Sequence, residues 1–174
     1  MKKIILGIVA ITFSIATMAQ TNAVDRLFDK YADKDGYTSV LVTKYMFQLF
    51  EKVASDKDDK DFKEITRKLT GIKILTIDSA VNVKRGHSFY KEIISSLPAS
   101  EYKDLMVIKE KGQEVKFMIR EDNGRISELL MVAGGDDAVL IALQGDIDLK
   151  QVSKLSKSMN IKGFERLDKV HDKK

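Results

Sequence analysis

Asp33-Lys34-Asp35-Gly36-Tyr37-Thr38-Ser39 has the oxygen-rich composition of a calcium loop. An EF-hand needs oxygen ligands at loop positions 1, 3 and 5, glycine at 6 and a bidentate glutamate at 12. With Gly36 at position 6, position 1 falls on Tyr31 and position 12 on Val42. Neither residue meets the requirement, and a strand pattern follows where a helix should. A plain helix-to-strand turn is the better reading. Asp56, Asp58, Asp59 and Asp61 form a second acidic group, interrupted by Lys57 and Lys60 and lacking a glycine to shape the backbone. It reads as a solvated loop with at most weak, nonspecific affinity for cations. A third group pairs Gly134-Gly135-Asp136-Asp137 with Gly145-Asp146-Ile147-Asp148. These turns lie at opposite ends of one strand, and seven extended residues span about 23 Å. Hairpin-turn and helix-cap duties account for each of them separately.

The chain has only two histidines, His87 and His171. His171 belongs to a Lys-rich tail. His87, in Arg85-Gly86-His87-Ser88, precedes a predicted helix and could help hold an anion at its N-terminus; an exposed or capping side chain is the plainer reading. Without cysteine, a zinc site would need His87 plus carboxylates from elsewhere. There is no Gly-x-Ser-x-Gly, no phosphate-cradling loop and no cysteine nucleophile. A glycosidase carboxylate pair converges only in three dimensions, but with no tryptophan an aromatic sugar-stacking cleft is not evident. Of the seven methionines, Met46, Met106, Met118, Met131 and Met159 fall on predicted core elements, which favours packing over a sticky surface. The sequence therefore assigns no catalytic, cofactor-binding or metal-binding residue, and no cofactor.

Residues 1–19 have the layout of a secretory signal peptide. Met1-Lys2-Lys3 is a basic start, IILGIVAITFSIA an uncharged, mostly apolar run, and Thr17-Met18-Ala19 a small-residue site for cleavage after Ala19. The run falls short of the 20 or so residues of a stable span; a retained N-terminal anchor is the competing reading. No cysteine is available for lipid attachment, so the expectation is a periplasmic or secreted protein, soluble after cleavage and not a lipoprotein. Residues 20–174 then form a single domain with a short charged tail. A chain of that size buries about 70% of its unfolded surface, so an ordinary core must stabilise it without disulfides. Loss of Lys2 and Lys3 lowers the formal net charge from +4 to +2, with the two signs interspersed. Nucleic-acid binders gather Lys and Arg on one face; charge and compartment both argue against that partner.

Apolar spacing supplies the elements. Val24, Leu27, Phe28 and Tyr31 form one face of a first helix ending near Asp33. Tyr37–Thr43 is β-branched and aromatic, hence a strand. Lys44–Ala54 returns to helical spacing, with Met46, Phe47, Phe50 and Val53 on one side. A further helix turns Phe62, Ile65 and Leu69 inward and stops at Gly71 as its C-cap; Ile72–Ile77 is the second strand. Ser88 should cap a helix from Phe89 to Leu97. Four strands follow at Asp104–Glu110, Glu114–Glu121, Arg125–Ala133 and Ala138–Gln144, joined by turn formers that include Asn123-Gly124, a strong hairpin signal. LLMV and VLIAL are apolar without alternation, as in strands covered on both faces or lying at a sheet centre. Gly145-Asp146 should end the last strand, and Asp146 or Asp148 should cap a final helix. The fold class is α+β: a four-stranded antiparallel meander within a sheet of about six strands, helices packed on one face.

In Tyr102-Lys-Asp-Leu-Met106, Val115-Lys-Phe-Met-Ile-Arg120, Ile126-Ser-Glu-Leu-Leu-Met131 and Val139 through Leu155, the chain resembles the exported Bacteroidetes proteins grouped as domain of unknown function 4252. The resemblance implies an envelope location and a small α+β domain, and brings no activity or functional residues. Some relatives look like lipoproteins, from which this cysteine-free chain departs. The leading expectation is a non-enzymatic, soluble envelope protein with a protein-binding or regulatory role, its partner an envelope protein met by strand addition at a free sheet edge. Two alternatives stand beside it. One is a small-molecule-binding domain or hydrolase with a pocket between helices and sheet; the other is a structural envelope component that self-associates.

Overall fold

Val24, Leu27, Phe28 and Tyr31, spaced as one helical face, are all buried in helix α1 (Ala23–Tyr31). Asn22 caps that helix, accepting from the Val24 amide at 3.1 Å, and Asp25 and Lys30 sit at the ends where the helix dipole favours their charges. The computed structural model describes residues 22–53, 60–77, 83–110, 112–135, 138–150 and 152–153. Residues 1–19, expected to be a signal peptide, and Asp56, Asp58, Asp59, Asp136, Asp137, Met159 and His171 lie outside them.

After the turn at Gly36 come β1 (Tyr37–Thr43), α2 (Lys44–Val53), α3 (Lys60–Lys68) and β2 (Leu69–Ile77). Helix α4 (Val83–Ser96) leads into β3 (Tyr102–Glu110), β4 (Gln113–Asp122), β5 (Arg125–Gly134) and β6 (Val139–Ile147). Every neighbouring pair is antiparallel, in the order β1-β2-β6-β5-β4-β3. The meander is therefore β3 to β6, as the turn residues required. Asn123 and Gly124 both take positive φ (50° and 76°), closing the β4–β5 hairpin with Asp122 opposite Arg125.

Strand alternation sorts the core into two layers. Leu130 and Val132 of β5 point to α1 and α4, meeting Val24, Leu27, Phe89 and Ile93. Leu129 and Met131 point the other way, to a cluster that includes Phe47 of α2, Ile65 of α3 and Val152. Helices α1 and α4 thus cover one face, and helical side chains reach the opposite face as well. The unbroken apolar strands β5 and β6 occupy the sheet centre, as expected. Tyr31, Tyr37 and Phe89, with ring centroids 4.6–5.5 Å apart, tie α1, β1 and α4 together. Lys30 and Tyr31 both donate to Glu92 of α4. Those bonds hold the Glu92 carboxyl below the usual range, while burial and the same carboxylate push the Tyr31 hydroxyl up.

Several boundaries differ from the sequence reading. Gly71 is not a helix cap: α3 passes directly into β2 at Leu69, and Gly71 pairs with Thr43 and Gln144 inside the sheet. Ser88 is not an N-cap, because α4 begins at Val83. A Cβ on Gly86 would fall 2.1 Å from the Gly135 carbonyl oxygen, so this glycine in the first turn of α4 marks close packing against the end of β5. Strand β6 does not end at Gly145 but continues to Ile147. Gly145 instead sits opposite Leu69 with φ +140°, where a Cβ would lie 2.2 Å from the Lys68 carbonyl oxygen. Met46, expected inward, is 45% exposed.

Two glycines with positive φ give a test. Gly112→Ala, at φ +85° with open space around it, should cost only the local backbone penalty of about 1–2 kcal/mol. Gly145→Ala must in addition displace backbone at the α3–β2 junction and should lower stability clearly more in urea unfolding. Equal costs would contradict the tight junction.

Candidate functional site

One row of polar residues crosses the sheet beneath the start of α1. Gln144 of β6 stands opposite Glu128 of β5, Glu128 opposite Arg120 of β4, and Arg120 opposite Tyr102 of β3. Glu128 is fully buried. Its Oε1 accepts from Asn22 Nδ2 at 2.8 Å and Gln144 Nε2 at 2.9 Å, and its Oε2 accepts from the Tyr102 hydroxyl at 2.5 Å. That hydroxyl is also 2.9 Å from Asn22 Oδ1; its single proton serves the carboxylate at the shorter distance. Arg120 Nε lies 3.5 Å from Oε2, close enough to compensate charge though not aligned as a hydrogen bond. Burial, then the bond to Glu128, pushes the Tyr102 hydroxyl pKa up, so it stays a proton donor.

The row continues through α1. Gln144 Nε2 also donates to Asp25 Oδ1 at 3.1 Å, and Lys73 of β2 reaches the same oxygen at 2.5 Å while lying 5.3 Å above the Phe28 ring. Every acceptor of Glu128 is therefore engaged by a side chain of the protein itself. A carboxylate bonded in this way supplies rigidity and register. The sequence reading missed it, although Glu128 stands out as the one charge within Ile126–Ala133.

An open depression of about 330 Å³ lies at the β4–β5 turn, lined by residues that include Asp122, Arg125, Ser127 and Asp146. Arg125 and Asp146 pair across it at 3.6 Å, and Ser127 Oγ donates to the Arg120 carbonyl at 3.2 Å. Its serine is thus tied to backbone. Asp148, not Asp146, caps the following helix, accepting from the Lys150 amide at 2.9 Å. Around Asp33–Gly36 the chain makes a turn, the Tyr37 amide donating to the Lys34 carbonyl at 3.1 Å. His87 is exposed within α4, not ahead of its first turn. Among the described residues no three His, Asp or Glu side chains gather as a metal site.

The surface feature with binding character is at the other side of the sheet. Strand β1 pairs with β2 over all seven residues without a bulge, and among the described residues no strand pairs with its outer edge. It contains no charge and no proline, and Val40 and Leu41 are 42% and 53% exposed, one on each face. Tyr45, Met46 and Leu49 of the adjoining α2 are exposed too. The opposite edge is different. Strand β3 is bulged between Asp104 and Met106, and Lys103, Asp104 and Lys109 form ion pairs with Glu121, Lys116 and Glu114. Charges and bulges blunt an edge against pairing; β3 has both devices and β1 has neither.

The network generates a stability test by urea unfolding. Glu128→Ala removes an anion but strands its donors and should cost about 3–5 kcal/mol. Tyr102→Phe removes one donor and should cost about 1–3 kcal/mol. Losses below about 1 kcal/mol for both variants would contradict the row's role.

No helix among the described residues is long and apolar enough to cross a membrane. No curated protein and no solved structure matches the chain. A family model described as domain of unknown function (DUF4252) matches residues 31–155, from the end of α1 through all six strands and into the final helix. That match covers well over half of the 174 residues, and the chain belongs to the DUF4252 family.

Proposed function

We propose that this protein is a non-enzymatic binding module of the cell envelope that takes up an extended protein strand along β1. The observation that carries the reading is the contrast between the two sheet edges: β3 is charged and bulged, whereas β1 is free of bulges, uncharged and flanked by exposed apolar side chains. Strand addition supplies affinity through main-chain bonds and specificity through alternate side chains. Val40 would supply the contact on one face and Leu41 that on the other. Export rests on the signal-peptide layout of residues 1–19, with processing after Ala19 and release without a lipid anchor.

A pocket for a small molecule or a hydrolytic site between helices and sheet is less well supported. Where α1 and α4 meet the sheet, Val24, Leu27, Phe89, Ile93, Leu130 and Val132 fill the space with apolar side chains. The polar groups beneath α1 bond to one another.

The test uses tagged protein expressed in its native host, recovered from the envelope fraction with its amino terminus sequenced. The expected terminus is Gln20. Protein bound to the wild-type bait should be lost from a Val40→Lys bait that keeps its circular dichroism spectrum. Equal capture by both baits contradicts docking at β1, and an intact residue 1 contradicts processing.

A further inference from the structure

The edge that invites a strand is itself a strand of suitable sequence. Resting on the reading of β1 as a docking edge, we propose that its occupant is β1 of a second copy. The two strands pair antiparallel about a two-fold axis through Val40 and join two six-stranded sheets into one.

The argument begins with register. Strand β1 spans Tyr37–Thr43, so its midpoint is Val40, and antiparallel pairing about that residue engages all seven positions. Val40 then faces Val40 of the other copy, Leu41 faces Ser39, Val42 faces Thr38, and Thr43 faces Tyr37. These are β-branched, aromatic and hydroxyl pairs of the kind that stabilise cross-strand contacts. No charge within the strand is set against its own copy. Just beyond the strand ends the same register brings exposed Lys44 of each copy alongside the exposed Asp35 and the Gly36 turn of the other, placing opposite charges together at both ends.

Helix α2 adds to the contact. Glu51 of α2 pairs with Arg67 of α3 at 3.3 Å, which fixes the side of α2 that faces α3. Met46 lies roughly 140° around the helix from Glu51, on the side turned away from α3, and is exposed. Val42 packs into the same layer as Phe47, so Val40, two residues away, shares that face of the sheet. A two-fold axis perpendicular to the sheet keeps both α2 helices on that one face, and Met46 and Val40 of each copy meet their counterparts there. The assembly closes at two copies, because the outer edges left exposed are the two charged, bulged β3 strands.

The absence of cysteine makes the test direct. By sedimentation equilibrium the purified wild-type protein should be a dimer, and Val40→Lys should reduce it to monomer mass with its circular dichroism unchanged. A Val40→Cys variant should cross-link to itself under mild oxidation, while Val107→Cys, an exposed position on β3, should not. If Val40→Lys fails to fold, the two cysteine variants decide alone. A wild-type protein that stays monomeric at every accessible concentration overturns the proposal. So does a dimer indifferent to Val40→Lys and not cross-linked through residue 40. A monomer whose capture of a different protein is abolished by Val40→Lys would overturn self-pairing and leave the strand-docking function standing.

Discussion

Burying the Glu128 carboxylate strips it of water, a loss on the order of several kcal/mol that only well-placed donors and charge can offset. Three different segments supply them: Asn22 ahead of α1, Tyr102 at the start of β3, and Gln144 in β6, with Arg120 of β4 beside them. Each donor is useful only if its strand holds the observed register. A slip of one residue on any of β3 to β6 would turn its contributor to the other face. The carboxylate therefore makes the meander's alignment and the seating of α1 conditions of one another. Asn22 carries both, capping the helix with its Oδ1 and binding Glu128 through its Nδ2.

That pinning is uneven across the sheet. The row runs from β3 to β6, and Lys73 extends it to β2 through Asp25. It stops short of β1, whose ties include the ladder to β2, the Tyr31–Tyr37–Phe89 rings, and Ser39 donating to the Ala32 carbonyl. Among the described residues, the sheet thus has one end fixed by buried polar bonds and flanked by ion pairs, and another beyond the polar row with no strand on its outer edge. Rigid support beneath an accessible strand suits a surface that adds another strand, because the platform need not reorganise on binding.

Much of this architecture was legible in the residues. The Asn123-Gly124 hairpin, the limits of β1, the buried face of α1 and the central placement of the unbroken apolar strands follow from turn chemistry and periodicity. The polar row did not, for a specific reason. From the turn, Asp122 faces Arg125 and Glu121 faces Ile126, so simple continuation would set Arg120 opposite Ser127. A bulge shifts the register and sets it opposite Glu128 instead. Bulges between Leu69 and Gly71 and between Asp104 and Met106 are equally silent in the residue pattern. The open edge was hidden for a different reason: strand order is a property of the whole chain, and nothing within Tyr37–Thr43 says that it lies outermost. Met46 shows the same limit, since helical spacing put it beside Phe47 and only the placement of α2 at the sheet edge exposes it.

The central claim is that the outer amides of β1 are bonded to another protein strand in the working state. Amide hydrogen exchange, read residue by residue from Tyr37 to Thr43 across a dilution series, tests it most directly. Alternate amides of β1 bond to β2 and should be protected at every concentration. The intervening amides should be protected in concentrated protein and lose that protection on dilution. If those outward amides exchange at the rate of free backbone throughout, β1 is not a docking edge for a second copy.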